Sequence, residues 1–341
     1  MASGAVPARS AVDVADLVSR ARDGSPRAVA RLISLVENAS PALRDVMAAL
    51  APDTGEAWVV GITGSPGVGK STSTNALVAA LRRRDLRVGV LAVDPSSPFS
   101  GGALLGDRIR MQDHALDPGV YIRSMASRGH LGGLSWATPQ AVRVLDAAGC
   151  DVVLVETVGV GQSEVEVASL ADTTLVLLAP GMGDGVQAAK AGVLEIGDLF
   201  VVNKADREGA QATVRDLRNM ISLGERRQPG DWRPPVVKTV ASRSEGVDEL
   251  VEELDKHRAW LAETGELGRR RLRRASGEVE ALALTALRER MGDVRSGSGL
   301  DELAQRVVAG ELDPYAAADR LVSDVTGEQV TAAGVAVGGP P

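Results

Sequence analysis

Trp58-Val59-Val60-Gly61-Ile62-Thr63-Gly64-Ser65-Pro66-Gly67-Val68-Gly69-Lys70-Ser71-Thr72 decides the fold of this chain. An apolar run enters a GxxxxGKS loop, and a helix-compatible run leaves it. That is the context a phosphate-binding loop requires. Gly64, Gly67 and Gly69 let successive backbone N–H groups face an anion without Cβ obstruction. Ser65, Pro66 and Val68 complete the loop, and Lys70, Ser71 and Thr72 open the helix whose N-terminus favours the same anion. The pattern predicts that Lys70 reaches the β and γ phosphates and that the Ser71 hydroxyl ligates Mg²⁺.

Working outward, residues 57–264 alternate strand and helix signals. Strands are predicted at Trp58–Thr63, Val88–Val93, Val120–Arg123, Val152–Glu156, Thr173–Leu178, Leu199–Asn203 and Val236–Thr239. Most are continuous apolar runs, as expected of strands buried on both faces of a mostly parallel sheet. Helices are predicted between them at Ser71–Arg84, Ser135–Ala148, Ala188–Ile196, Glu208–Ile221 and Val247–Thr264. The layout is a doubly wound α/β domain. Residues 1–55 read as an N-terminal helical region, 56–265 as the nucleotide domain, 266–330 as a C-terminal helical region and 331–341 as a disordered tail.

Further candidate residues follow in order. Asp94 closes the second strand in Val93-Asp94-Pro95, where a carboxylate can hold a Mg²⁺-bound water or orient an attacking one, or simply cap the turn. Asp107 and Arg108 lie in a glycine-rich stretch that reads as a switch or as a surface ion pair. Val152-Val153-Leu154-Val155-Glu156-Thr157-Val158-Gly159 is a buried strand ending in an acid. Glu156 stands where an Asp is usual and is the candidate Mg²⁺ carboxylate, and the Gly159 N–H is placed to sense the γ-phosphate. Val160–Glu164 continues as a flexible switch in which Gln162 is a candidate for positioning water. The acids Asp94, Asp107 and Glu156, with Lys70, form the predicted catalytic set, and with Ser71 the metal set.

Asn203-Lys204-Ala205-Asp206 follows a predicted strand. The Asp206 carboxylate can accept from guanine N1–H and the exocyclic amine, an arrangement adenine does not offer. Lys204 can lie along the base, Asn203 can tie this loop to the phosphate loop, and Ala241-Ser242 suits a backbone contact to guanine O6. The predicted ligand is therefore GTP/GDP with Mg²⁺. Position 65 also lacks the lysine of partition-type ATPase loops.

Composition narrows the partners. The 341 residues carry a net charge of -7, so no basic field tracks nucleic acid, and the Arg269–Arg274 run reads as a solvated helix face. Aromatic residues are 2%, too few for a wide base-stacking surface. One cysteine and three dispersed histidines offer neither a disulfide nor a metal cluster. No apolar signal segment opens the chain and no long charge-free apolar run occurs, so a cytoplasmic protein without membrane contact is expected.

The ordered set ITGSPGVGKST, VDPSS, GGALLGDRIRM, VETVGVGQSE, APGMGDGVQ and VVNKAD closely resembles the MeaB/ArgK family, bacterial counterparts of human MMAA. The resemblance spans about residues 56–265. It implies a P-loop GTPase that chaperones adenosylcobalamin-dependent methylmalonyl-CoA mutase, gating cofactor delivery and protecting or reactivating the enzyme. It also implies a homodimer joined through C-terminal helices. Adenosylcobalamin belongs to the partner, because DxHxxG, the mark of one large class of cobalamin modules, is absent. The Met182–Lys190 loop matches the family's third switch, but Gly185-Val186 replaces the usual acid-containing GAGDELQ pattern, which removes any ion pair at 185. Another acyl-CoA mutase as client, a nickel-type metallochaperone and an amino-acid transport kinase are the competing readings.

Overall fold

The computed structural model describes residues 13–94, 112–114, 116–126, 137–157, 162–181, 194–223, 230–295 and 299–326. Asp107, Arg108, Gly159, the Met182–Lys190 loop and the 331–341 tail lie outside these residues, and Asp94 and Gln162 are placed by backbone alone.

Seven strands form one sheet in the order β3-β2-β4-β1-β5-β6-β7. They are β1 (Trp58–Thr63), β2 (Val88–Asp94), β3 (Val120–Ala126), β4 (Val152–Thr157), β5 (Thr173–Leu178), β6 (Leu199–Val202) and β7 (Val236–Lys238). Every pairing is parallel. All seven predicted strands are present, with ends shifted by up to three residues. β1 is central, and chain connections run to either side of it. That topology opens a crevice beyond the carboxyl ends of the strands.

The continuous apolar runs resolve into two faces. Trp58, Val60 and Ile62 of β1 join one core with α4 (Lys70–Arg82) and α8 (Val247–Glu263). Val59, Val153 and Val155 point to the other side, against α1 (Val14–Arg22), α2 (Pro26–Glu37), α3 (Leu43–Leu50) and α5 (Thr138–Ala147). The N-terminal helices thus share the core of the sheet and possess none of their own. Arg123 on β3 is ion-paired to Glu37 on α2, fastening that contact.

α6 (Gln162–Leu170) starts inside the stretch read as a switch. Its Val167 and Ala171 after it press onto the sheet at Gly61, where a Cβ would meet Val167 Cγ2 at 2.8 Å and Ala171 Cβ at 3.0 Å. Helical packing on a glycine window accounts for a helix that a weak apolar stripe did not signal. α7 (Ala210–Leu223) covers the far side, with Val214 and Leu217 packed on Phe200 and Val202.

At the amino edge of the sheet, Asp198 accepts from Arg270 at 2.8 and 2.9 Å and from the Thr174 N–H at 2.9 Å. Burial raises the Asp198 carboxyl, but the His257 ring, its Nε2 3.4 Å away, and the hydrogen-bonded Arg270 guanidinium outweigh it and hold the group below the usual carboxylate range. His257 is fully buried, meets Thr173 Oγ1 at 2.9 Å and lies between Trp232 and Trp260. Arg270 lies in the first turns of α9 (Glu266–Arg295).

The described residues after Arg270 belong to a second compact unit. Its described part holds the rest of α9, α10 (Gly299–Val308) and α11 (Pro314–Thr326). Along α9, Leu272, Val279, Leu282, Leu284 and Leu287 are exposed.

Candidate functional site

Carboxyl-terminal strand ends bring the predicted residues to one edge. Thr63 runs from β1 into the phosphate loop, Asp94 ends β2, Glu156 lies near the end of β4, and Asn203 follows β6. In register, Glu156 stands opposite Ile62 of β1 and Ala92 of β2, directly beneath the loop.

The loop owes its shape to three glycines with positive φ: Gly64 at 140°, Gly67 at 82° and Gly69 at 96°. A Cβ on Gly64 would stand 2.2 Å from the Leu177 carbonyl oxygen, and one on Gly69 would stand 2.5 Å from Asn203 Nδ2. Two of the glycines are therefore demanded by neighbouring elements as well as by backbone conformation. Lys70 Nζ arches back and donates to the carbonyls of Gly64 at 2.6 Å and Ser65 at 3.2 Å. The ammonium consequently sits over the loop, where a phosphate chain cradled by N–H groups would meet it.

Lys70 and Ser71 are buried in the first turn of α4, whereas Thr72 faces solvent. The Ser71 hydroxyl donates to Glu156 Oε1 at 2.7 Å, and the Thr74 hydroxyl donates to Glu156 Oε2 at 2.8 Å. Both carboxylate oxygens are thus oriented by hydroxyls from one helix turn. Sequence pattern pointed to Ser71 and Glu156 but not to Thr74, which belongs to no loop motif. Its helical spacing from Ser71, on the same face, is the signal that could have found it.

Among the described residues no three His, Cys, Asp or Glu side chains converge on a metal-sized space. Mg²⁺ does not require such a cage, since it keeps several waters and uses one or two carboxylates plus substrate phosphates. A hard hydroxyl oxygen beside an oriented carboxylate, at the N-terminus of α4, fits that ion.

The other half of the site is built by Asn203. Its Nδ2 donates to the Val68 carbonyl at 2.8 Å. Its Oδ1 accepts from Thr239 Oγ1 at 3.2 Å and from the Ala241 N–H at 3.1 Å. One buried side chain thereby joins the phosphate loop, the β6 end and the turn after β7. Lys204 takes a left-handed φ of 56° and donates from Nζ to the Gly67 carbonyl at 2.6 Å. Asp206 remains partly exposed, with Arg243 Nη1 3.6 Å from its carboxylate. Arg243 was not singled out by the sequence reading.

A central β1 leading through a GxxxxGKS loop into α4, with an oriented Walker-type acid and an NKxD loop at the same sheet edge, defines a P-loop GTPase. The chain is a GTP hydrolase and its nucleotide is a guanine nucleotide. It belongs to the MeaB family, described as methylmalonyl-CoA mutase-associated GTPases, which matches residues 29–295.

A Pyrococcus abyssi relative is 47% identical over 313 residues, covering 92% of this chain and 97% of its own. The GTPase ArgK of Escherichia coli is 39% identical over 261 residues, covering 74% and 78%. The crystal structure of LAO/AO transport system kinase matches with a TM-score of 0.68 at 28% identity, covering 93% of this chain and 99% of that one. The mitochondrial methylmalonic aciduria type A homolog of Caenorhabditis elegans is 41% identical over 215 residues, covering 62% of this chain and 54% of its own.

Proposed function

We propose that this GTPase uses its nucleotide cycle to chaperone an adenosylcobalamin-dependent mutase, with methylmalonyl-CoA mutase as the client. The family match over residues 29–295 carries this reading, supported by the likeness to the methylmalonic aciduria type A homolog. The cofactor belongs to the mutase, and the present chain supplies a timed contact. A different acyl-CoA mutase remains the alternative client.

At the site, loop N–H groups and Lys70 bind the β and γ phosphates and stabilise charge that develops on them during water attack. Mg²⁺ would be held by Ser71 with Glu156, Asp94 and Asp107, and would neutralise the same charge. Gly159 senses the γ-phosphate. Asp206 accepts from guanine N1–H and the exocyclic amine while Lys204 lies along the base. Because the Ala241 N–H is given to Asn203, Ser242 supplies the backbone donor for guanine O6.

The exposed apolar residues of α9 support a homodimer formed through the 266–330 region. By function the chain divides into a helical region at 1–55, a G domain at 56–265, a helical region at 266–330 and a tail at 331–341.

The decisive experiment measures phosphate release from GTP with and without purified methylmalonyl-CoA mutase. Stimulation of turnover by the mutase is expected. No change with any cobalamin mutase would remove the chaperone reading. Phosphate appearing on a protein acceptor instead of in solution would favour a kinase.

A further inference from the structure

Thr74 lies outside the loop motif that places Lys70 and Ser71. It is fully buried on α4, with its hydroxyl 2.8 Å from Glu156 Oε2 and 3.0 Å from the Lys70 carbonyl. A hydroxyl has a single proton to give. The charged acceptor is the nearer one, and hydrogen bonds to ionised groups are the stronger kind. The proton therefore goes to Glu156, and the Lys70 carbonyl lies at ordinary back-bonding distance for a helical threonine.

The consequence follows from side-chain length. Glutamate has one more torsion than the aspartate usual at this place, and its terminal torsion is broad and roughly two-fold. Ser71 on Oε1 and a second hydroxyl on Oε2, three residues along the same helix, restrict that torsion from both oxygens. We propose that Thr74 is a positioning residue for Mg²⁺, acting through Glu156 and compensating for the longer acid. The inference rests on the reading of Glu156 as the Mg²⁺ carboxylate.

The test compares Thr74→Val, which keeps the shape and loses the hydroxyl, with Thr74→Ser, which keeps the hydroxyl. The readouts are the free Mg²⁺ concentration needed for half-maximal tight GDP retention, GDP affinity in EDTA and the thermal midpoint. Thr74→Val is expected to raise the Mg²⁺ requirement roughly tenfold, the scale of one hydrogen bond to a charged group. GDP affinity in EDTA should not change, and Thr74→Ser should restore the Mg²⁺ requirement. Adding Thr74→Val to Glu156→Gln should have no further effect on Mg²⁺.

An unchanged Mg²⁺ requirement in Thr74→Val overturns the proposal, as does equal loss in the Val and Ser variants, which would mark a packing effect. If Glu156→Gln shifts the Mg²⁺ requirement and Thr74→Val does not, only the role of Thr74 falls. If Glu156→Gln has no effect, the assignment of Glu156 falls with it.

Discussion

Asn203 Nδ2 donates to the backbone carbonyl of Val68 at 2.8 Å, joining residues 135 positions apart. The contact couples the GxxxxGKS loop to the NKxD loop. Asn203→Ala removes this bond and those to Thr239 and Ala241. At about 1 kcal/mol each, with an added cost for orphaned partners, the loss should be ~2–4 kcal/mol. Denaturant unfolding should show a lower midpoint, and calorimetry should show weaker GDP binding.

Asp206→Asn should exchange nucleotide preference. In the proposed role the carboxylate would accept two donors from guanine, and an amide in its place turns one acceptor into a donor. GTP affinity should fall by about 100-fold, while xanthosine triphosphate, which presents an oxygen in place of the amine, should gain. An unchanged preference in competition binding would sink the guanine assignment. Arg243, only 3.6 Å away yet half-exposed, should matter far less.

Gly64→Ala and Gly268→Ala should act in opposite directions. At Gly64 the backbone has φ 140° and the added Cβ would lie 2.2 Å from the Leu177 carbonyl, so β5 and the loop cannot both keep their places. A loss of ~3 kcal/mol or more is expected. At Gly268, inside α9, nothing lies within 4 Å of the added Cβ. There alanine should gain up to about 1 kcal/mol through helix propensity. Urea unfolding of the two variants checks both signs.

Asp198 sets a pH limit on stability. Its folded carboxyl titrates below its unfolded value. The stabilisation is therefore fully present above the unfolded value of about 3.9 and is lost as pH falls through the lower folded one. Asp198→Asn should cost ~2–4 kcal/mol at neutral pH, because three-quarters-buried Arg270 loses the charge that accepts two of its hydrogen bonds and keeps Glu266 at 3.7 Å. The variant should also lose the part of the acid-unfolding slope that lies below about pH 4. Thermal midpoints measured from pH 7 to pH 2 resolve this.

Val279→Glu together with Leu282→Glu should leave the fold of residues 13–270 intact and abolish self-association. Both side chains are more than half exposed on α9, at 67% and 51%. Charge there costs nothing in a monomer and is expensive in an apolar interface. Light scattering should report a monomer for the variant and a dimer for the parent. A parent that is already monomeric would end the dimer reading.

Sheet, strand membership and the nucleotide loops were legible because each rests on local chemistry. Continuous apolar runs mark strands buried on both faces. Gly64, Gly67 and Gly69 are required by backbone conformation, and Lys70, Ser71 and Asn203–Asp206 stand in motifs whose short spacing is read directly from the chain. Strand order was not legible, because nothing local tells β1 that β4 and β5 will flank it. α6 was missed because its stability comes from contact with Gly61, not from its own apolar stripe.

By itself the sequence determined the P-loop architecture, the guanine reading and the order of the motifs. Only tertiary structure decided that Asn203 spans three elements, that Thr74 and Ser71 hold opposite oxygens of Glu156, and that Asp198 gathers Arg270 and His257 at the amino edge of the sheet. Each of these joins residues far apart in the chain. Such pairings depend on which strands lie side by side, and that is fixed by packing the whole sheet between its helices.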